Sequence, residues 1–220
     1  MVQLIKALTA ERVRANLDVV RERIAAAGRD PETVEILAAV KYLAPEALTA
    51  LANGGIRTVG ENRAQELEHK RSAPGAAGLT WDFIGQLQSR KVRDILPHVR
   101  YIHSVDSDSV LSQLRRHGGA DTRVLVQVNV AGEQGKGGVA PGDLPGFLQR
   151  CPVTVVGLMT MPPLAADPES NRPHFAALRE LAGAHGLPEL SMGTSQDFVV
   201  AVTEGATIVR LGTILYAGAP

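Results

Sequence analysis

The feature that most constrains this chain is a repeated switch of hydrophobic period. Compact apolar runs of strand length alternate with longer stretches whose apolar residues recur at helical spacing, and the alternation continues through all 220 residues. Residues 34–40, 56–59, 81–84, 99–103, 123–130, 153–159, 190–192 and 206–211 read as strands, with RVLVQVNV at 123–130 the clearest. Residues 1–27, 44–52, 61–71, 89–96, 107–117, 142–149, 168–185 and 195–204 read as helices. Val13, Leu17, Val20 and Ile24 share one helical face and Gly28 ends it; Pro45 opens the second helix; Ser195 is the expected N-cap of the last, and Gly205 its stop. Strict alternation of strand and helix implies parallel strands. Eight of them predict a closed (β/α)8 barrel near the lower end of that fold's size range, with a doubly wound open sheet as the alternative. No linker or internal repeat interrupts the pattern, so residues 1–220 are expected to form a single domain.

Composition removes several classes of function. Lys plus Arg total 23 and Asp plus Glu total 23, so the formal net charge is zero and a nucleic-acid partner is not expected. A lone cysteine, Cys151, cannot form an internal disulfide and is expected to be a small buried residue. No apolar run approaches the roughly 18 residues of a membrane helix, and Lys6, Glu11, Arg12 and Arg14 leave no signal-peptide core. A soluble cytoplasmic protein is the expectation.

In a parallel barrel, chemistry gathers at the C-terminal ends of the strands. Lys41 follows directly on the apolar run Ile36-Leu37-Ala38-Ala39-Val40. A lysine at a barrel mouth can be partly desolvated, which lowers its pKa and frees the amine to attack a carbonyl; it can also simply reach into water. Gly193-Thr194-Ser195 and Gly212-Thr213 follow the last two strands, where barrels commonly bind phosphate. Each is also compatible with ordinary capping. Arg210 shares a strand face with Ile208 and Gly212 and lies near the phosphate loops if that face is inward. The histidines show no metal-ligand spacing, Gly132 to Gly138 fails the P-loop pattern at Val130 and Gly137, and no Gly-x-Ser-x-Gly elbow is present.

Eight segments carry a family resemblance: LAAVKYLAPEAL (37–48), VGENRAQEL (59–67), WDFIGQLQSRKVR (81–93), IHSVDS (102–107), VLVQVNVAGEQGKGGV (124–139), VGLMTMPP (156–163), LSMGTSQDF (190–198) and IVRLGTILYAG (208–218). In this order they resemble the pyridoxal phosphate homeostasis proteins, relatives of the N-terminal barrel of alanine racemase. The resemblance implies a TIM barrel holding pyridoxal 5′-phosphate (PLP) as a Schiff base on Lys41. It implies phosphate contacts from Ser195, Gly212 and Thr213, with Ser191 and Met192 lining the approach, Arg210 at the pyridine nitrogen and Asn62 beside the ring. It implies a non-catalytic carrier that supplies PLP to apoenzymes, with a small amino-acid racemase as the alternative. No metal is expected. A monomer is favoured, because the β-domain that builds the racemase dimer is missing. Val40 stands where many members have Ser or Thr, Asp82 where His is usual, and Arg90 where Asn is frequent.

Overall fold

Strands form here where a short, mainly apolar run can be buried on both faces, with a few buried polar residues among them. The computed structural model describes residues 4–218 and contains eight such strands: β1 (Glu35–Ala39), β2 (Thr58–Glu61), β3 (Thr80–Phe83), β4 (Tyr101–Val105), β5 (Arg123–Gln127), β6 (Thr154–Met159), β7 (Glu189–Thr194) and β8 (Ile208–Leu211). Each pairs in parallel with the next, and β8 pairs with β1 through Leu37↔Arg210 and Ala38↔Leu211. The sheet is therefore a closed eight-stranded barrel, which settles the choice against an open sheet. Closure also leaves no unpaired edge.

The helices follow the strands as the alternation predicts: α1 (Ala10–Ala26), α2 (Leu48–Asn53), α3 (Ala64–Arg71), α4 (Val92–Ile95), α5 (Asp108–His117), α6 (Leu144–Arg150), α7 (Arg172–Ala184), α8 (Phe198–Thr203) and α9 (Thr213–Tyr216). The main apolar core lies between the barrel wall and this ring. It includes Val13, Leu17, Val20 and Ile24 of α1, Phe175 and Leu178 of α7, and Phe198 of α8. Each such side chain contributes roughly 1.5–3 kcal/mol on burial. Among the described residues, no helix is long and apolar enough to cross a membrane.

Three local expectations are corrected. The first helix starts at Ala10, where the Thr9 hydroxyl accepts from the Arg12 N–H. Of the stretch before it, residues 1–3 lie outside the described residues. Ile5 instead bridges to the segment after β1: its N–H donates to Tyr42 O at 2.8 Å, and the Ala44 N–H donates to Ile5 O at 2.9 Å. Ser195 is not an N-cap; α8 begins at Phe198, with Asp197 in the N-cap position and no side-chain capping bond. Cys151 is half-buried rather than buried, and its partial burial raises the thiol pKa.

Candidate functional site

Alternation along a barrel strand sends every second side chain inward. On β8 that register turns Arg210 into the barrel, where it is 5% exposed. On β7 it turns Ser191 inward and Met192 outward. Met192 is wholly buried in the core between barrel and helices, so it does not line the approach as expected. Ser191 is also fully buried and touches Arg210 from below the mouth: the guanidinium Nη1 donates to its Oγ at 2.6 Å.

The C-terminal ends of the strands surround a cavity of about 320 Å³. Lys41, Asn62, Ser195, Arg210, Gly212 and Thr213 all line it. Six of the eight residues singled out in the sequence thus line one cavity; Ser191 and Met192, expected to line the approach, do not, Ser191 lying beneath Arg210 and Met192 outside the barrel wall. Lys41 is exposed rather than desolvated, and its Nζ lies 4.8 Å from the centre of the Tyr42 ring. Arg90 is a surface residue whose guanidinium bonds Gln88.

Two backbone N–H groups converge on one oxygen where the loops after β7 and β8 meet. Gly212 N and Ile214 N donate to Ser195 Oγ at 3.1 and 3.4 Å. The turn that carries Ser195 is held by Asp197, whose Oδ1 accepts from both the N–H and the hydroxyl of Thr194 at 2.7 and 2.9 Å. Asn171 donates to the other carboxylate oxygen at 2.9 Å. Gly193 makes the turn possible: its φ is +91°, and a Cβ there would come within 2.6 Å of Ala201 Cβ.

Arg210 is a buried cation with no carboxylate bonded to it among the described residues. Besides Ser191, its Nη2 donates to Thr160 O at 2.8 Å and to Met161 Sδ at 2.9 Å. Burial draws its pKa down to about 10, so the group stays protonated at neutral pH. Three N–H bonds are made out of five available, leaving donor capacity beside the cavity. Asn62 adds a complementary feature: its Oδ1 is buried without a partner. A half-turn of the amide exchanges its oxygen and nitrogen, so it can offer either an acceptor or a donor.

Sequence reasoning missed what anchors Lys41 and Asn62. Lys70 and Glu61 are both wholly buried. Lys70 Nζ donates to Glu61 Oε2 at 2.6 Å and to Val40 O at 2.7 Å, while Glu61 Oε1 accepts from the N–H groups of Asn62 and Arg63 at 2.6 and 3.2 Å. One ion pair therefore fixes the backbone beside both residues. The only available signal was a charged residue at the end of an apolar strand, which is ordinarily solvated. Tyr216 braces the same strand end by donating to Ala39 O at 3.1 Å.

The fold and this mouth define a class: (β/α)8 barrels with a lysine, a buried arginine and a serine-bearing turn around a cavity at the C-terminal rim. The chain matches the family model described as alanine racemase, N-terminal domain, over residues 8–220 and belongs to that family. It is 40% identical over 219 residues to the pyridoxal phosphate homeostasis protein of Aquifex aeolicus, covering 94% of this chain and 96% of that one. It is 41% identical over 214 residues to the protein of the same name from Pseudomonas aeruginosa, covering 91% and 93%. Among solved structures, PipY of Synechococcus elongatus with PLP bound is 33% identical and superposes with a TM-score of 0.74, covering 90% of this chain and all of that one.

Proposed function

We propose that this chain binds PLP at the barrel mouth, anchors it on Lys41 and acts in PLP homeostasis as a carrier that supplies apoenzymes. The observation that carries the reading is the set of groups in one cavity: a primary amine, two N–H groups converging on an oxygen, and a buried cation with donors to spare. PLP needs all three. When bound, it supplies an aldehyde that condenses reversibly with a primary amine. The relatives' names and the PLP in the PipY structure support the same ligand.

Each residue then has a task. Lys41 presents its amine from the open end of β1, and the bond between Lys70 and Val40 O fixes where that amine starts. The Ser195 hydroxyl can donate to a phosphate oxygen, and the N–H groups of Gly212 and Ile214, held here by Ser195 Oγ, would turn to phosphate oxygens in its place, with Thr213 beside them. Arg210 would donate to the pyridine nitrogen and, being protonated itself, would keep a proton off that atom. An unprotonated ring is a weak electron sink, which suits holding the cofactor better than carbanion chemistry. Asn62 presents its amide beside the ring.

A second reading, a small racemase, has one observation in its favour: Tyr42 lines the cavity next to Lys41 and could serve as an acid–base group. The other ionisable residues lining the cavity offer no second base: Asp197 is bonded to Thr194 and Asn171, and Arg210 stays protonated and can only donate. A cytoplasmic setting and a monomer complete the carrier reading.

The test is the visible spectrum of the purified protein with added PLP, followed by borohydride reduction and peptide mapping. A band that maps to Lys41 and is lost in Lys41→Ala supports the site; label scattered over surface lysines refutes it. Deuterium wash-in at the α-carbon of L- and D-alanine separates the readings. Turnover at enzyme-like rates that falls in Tyr42→Phe overturns the carrier.

A further inference from the structure

The inside of a barrel is an expensive place for charge, yet four strands of this one each place a buried polar side chain on a continuous path. Arg210 of β8 donates to Ser191 of β7 at 2.6 Å. Ser191 Oγ lies 2.8 Å from His103 Nδ1 on β4, and His103 Nε2 lies 3.1 Å from Asp82 Oδ2 on β3. Ser191, His103 and Asp82 are wholly or almost wholly buried. Asp82 also accepts from Arg100 Nε and Nη2 at 3.1 and 2.6 Å and from the Tyr101 N–H at 3.2 Å; Arg100 in turn grips Glu35 with two bonds of 2.9 Å.

Donor counting fixes the direction of each bond. A carboxylate only accepts, so His103 Nε2 carries the proton that faces Asp82. Burial keeps His103 neutral by lowering its pKa below the usual 6.5. Burial pushes the Asp82 carboxyl up, but the bonds from His103 and Arg100 outweigh it and hold the group below the usual carboxylate range. With Nε2 protonated, Nδ1 of a neutral imidazole is a bare acceptor. The Ser191 hydroxyl must therefore donate to it, and both Ser191 lone pairs are left for Arg210.

We propose that Ser191, His103 and Asp82 are positioning residues for Arg210. They turn an acceptor toward its guanidinium, fix the plane of that group, and lend it through three oriented bonds the negative charge it lacks at first hand. Coupled hydrogen bonds polarise one another in a low-dielectric interior, so the ionised Asp82 strengthens the Ser191 acceptor two residues away. The proposal rests on the reading that Arg210 meets the pyridine nitrogen.

The experiment compares PLP with its 1-deaza analogue, in which carbon replaces the ring nitrogen, in the wild type, Asp82→Asn and His103→Gln. The wild type is expected to bind PLP about tenfold tighter, as one charge-assisted hydrogen bond warrants. Both variants are expected to lower that ratio to about threefold or less through weaker PLP binding alone, at unchanged analogue affinity. An unchanged ratio overturns the relay, and so does equal weakening of both ligands, since that is what a purely structural role predicts. If the wild type fails to discriminate, the contact between Arg210 and the ring nitrogen is wrong and the relay falls with it. Nitrogen-15 shifts of His103 in the ligand-free wild type give a second readout that no folding defect touches. A neutral ring protonated at Nε2 is expected at pH 7; an Nδ1–H ring or an imidazolium overturns the relay even if the Arg210 contact stands.

Discussion

A buried ion pair is strong evidence of what a residue positions, and weak evidence of what it stabilises. Lys70 and Glu61 lie out of water with nearly every polar atom used, and their bonds end on backbone beside Lys41 and Asn62. Replacing the pair with apolar residues need not cost stability, but removing one partner leaves the other buried and uncompensated. Lys70→Met is therefore expected to lose about 3 kcal/mol in denaturant unfolding; a loss below about 1 kcal/mol means that water reaches Glu61. At this scale the sequence was only half legible. Lys41, Ser195, Arg210 and Gly212 were found because they sit at strand ends, where position alone carries information. The relay was not, because Ser191 and His103 are 88 residues apart and touch only after closure. In the sequence Asp82 looked like a departure from a pattern; in the barrel it is the partner that orients a histidine.

At the level of elements, strands were easier to place than helix starts. A strand buried on both faces shows as a compact, mainly apolar run, clearest in β5 and β6, and every strand reading overlaps an observed strand, although β2, β3, β4, β7 and β8 carry buried polar residues. Several helices instead open through a 3-10 turn with proline in it, as at Pro45–Ala47, Pro141–Asp143 and Pro168–Asn171, and residues read as helix belong to these turns. The four-residue α9 was too short to show any period. The turn from β7 to α8 depends on a single residue. Gly193→Ala would force a positive φ on a residue with a Cβ and push that carbon against Ala201 and Phe198. It is expected to destabilise the protein by about 2 kcal/mol and to weaken PLP binding, since Thr194 and Ser195 must shift. Stability and affinity measured on the purified variant check this; an unchanged pair of values would mean that α8 yields freely.

For the whole molecule, the alternation of periods carried the architecture, and the closed sheet with one shared mouth followed from it. The one tryptophan, Trp81, is buried in β3 between barrel and helices and reports on the entire structure. Its fluorescence is expected to follow unfolding. PLP at 100 times its dissociation constant is expected to add about 2.7 kcal/mol to stability, and Lys41→Ala to lose most of that gain. Equal stabilisation of both proteins would place the ligand away from Lys41. The seam between β1 and β8 has a further consequence. Lys41 follows the first strand and Arg210 sits on the last, yet Leu37 pairs with Arg210 across that seam. On a ribosome, a growing chain that already holds Lys41 lacks Arg210, Gly212 and the second of the two neighbours of its first strand. The ability to capture PLP therefore appears only when the final strand has been made and docked, so the cofactor distinguishes finished molecules from unfinished ones.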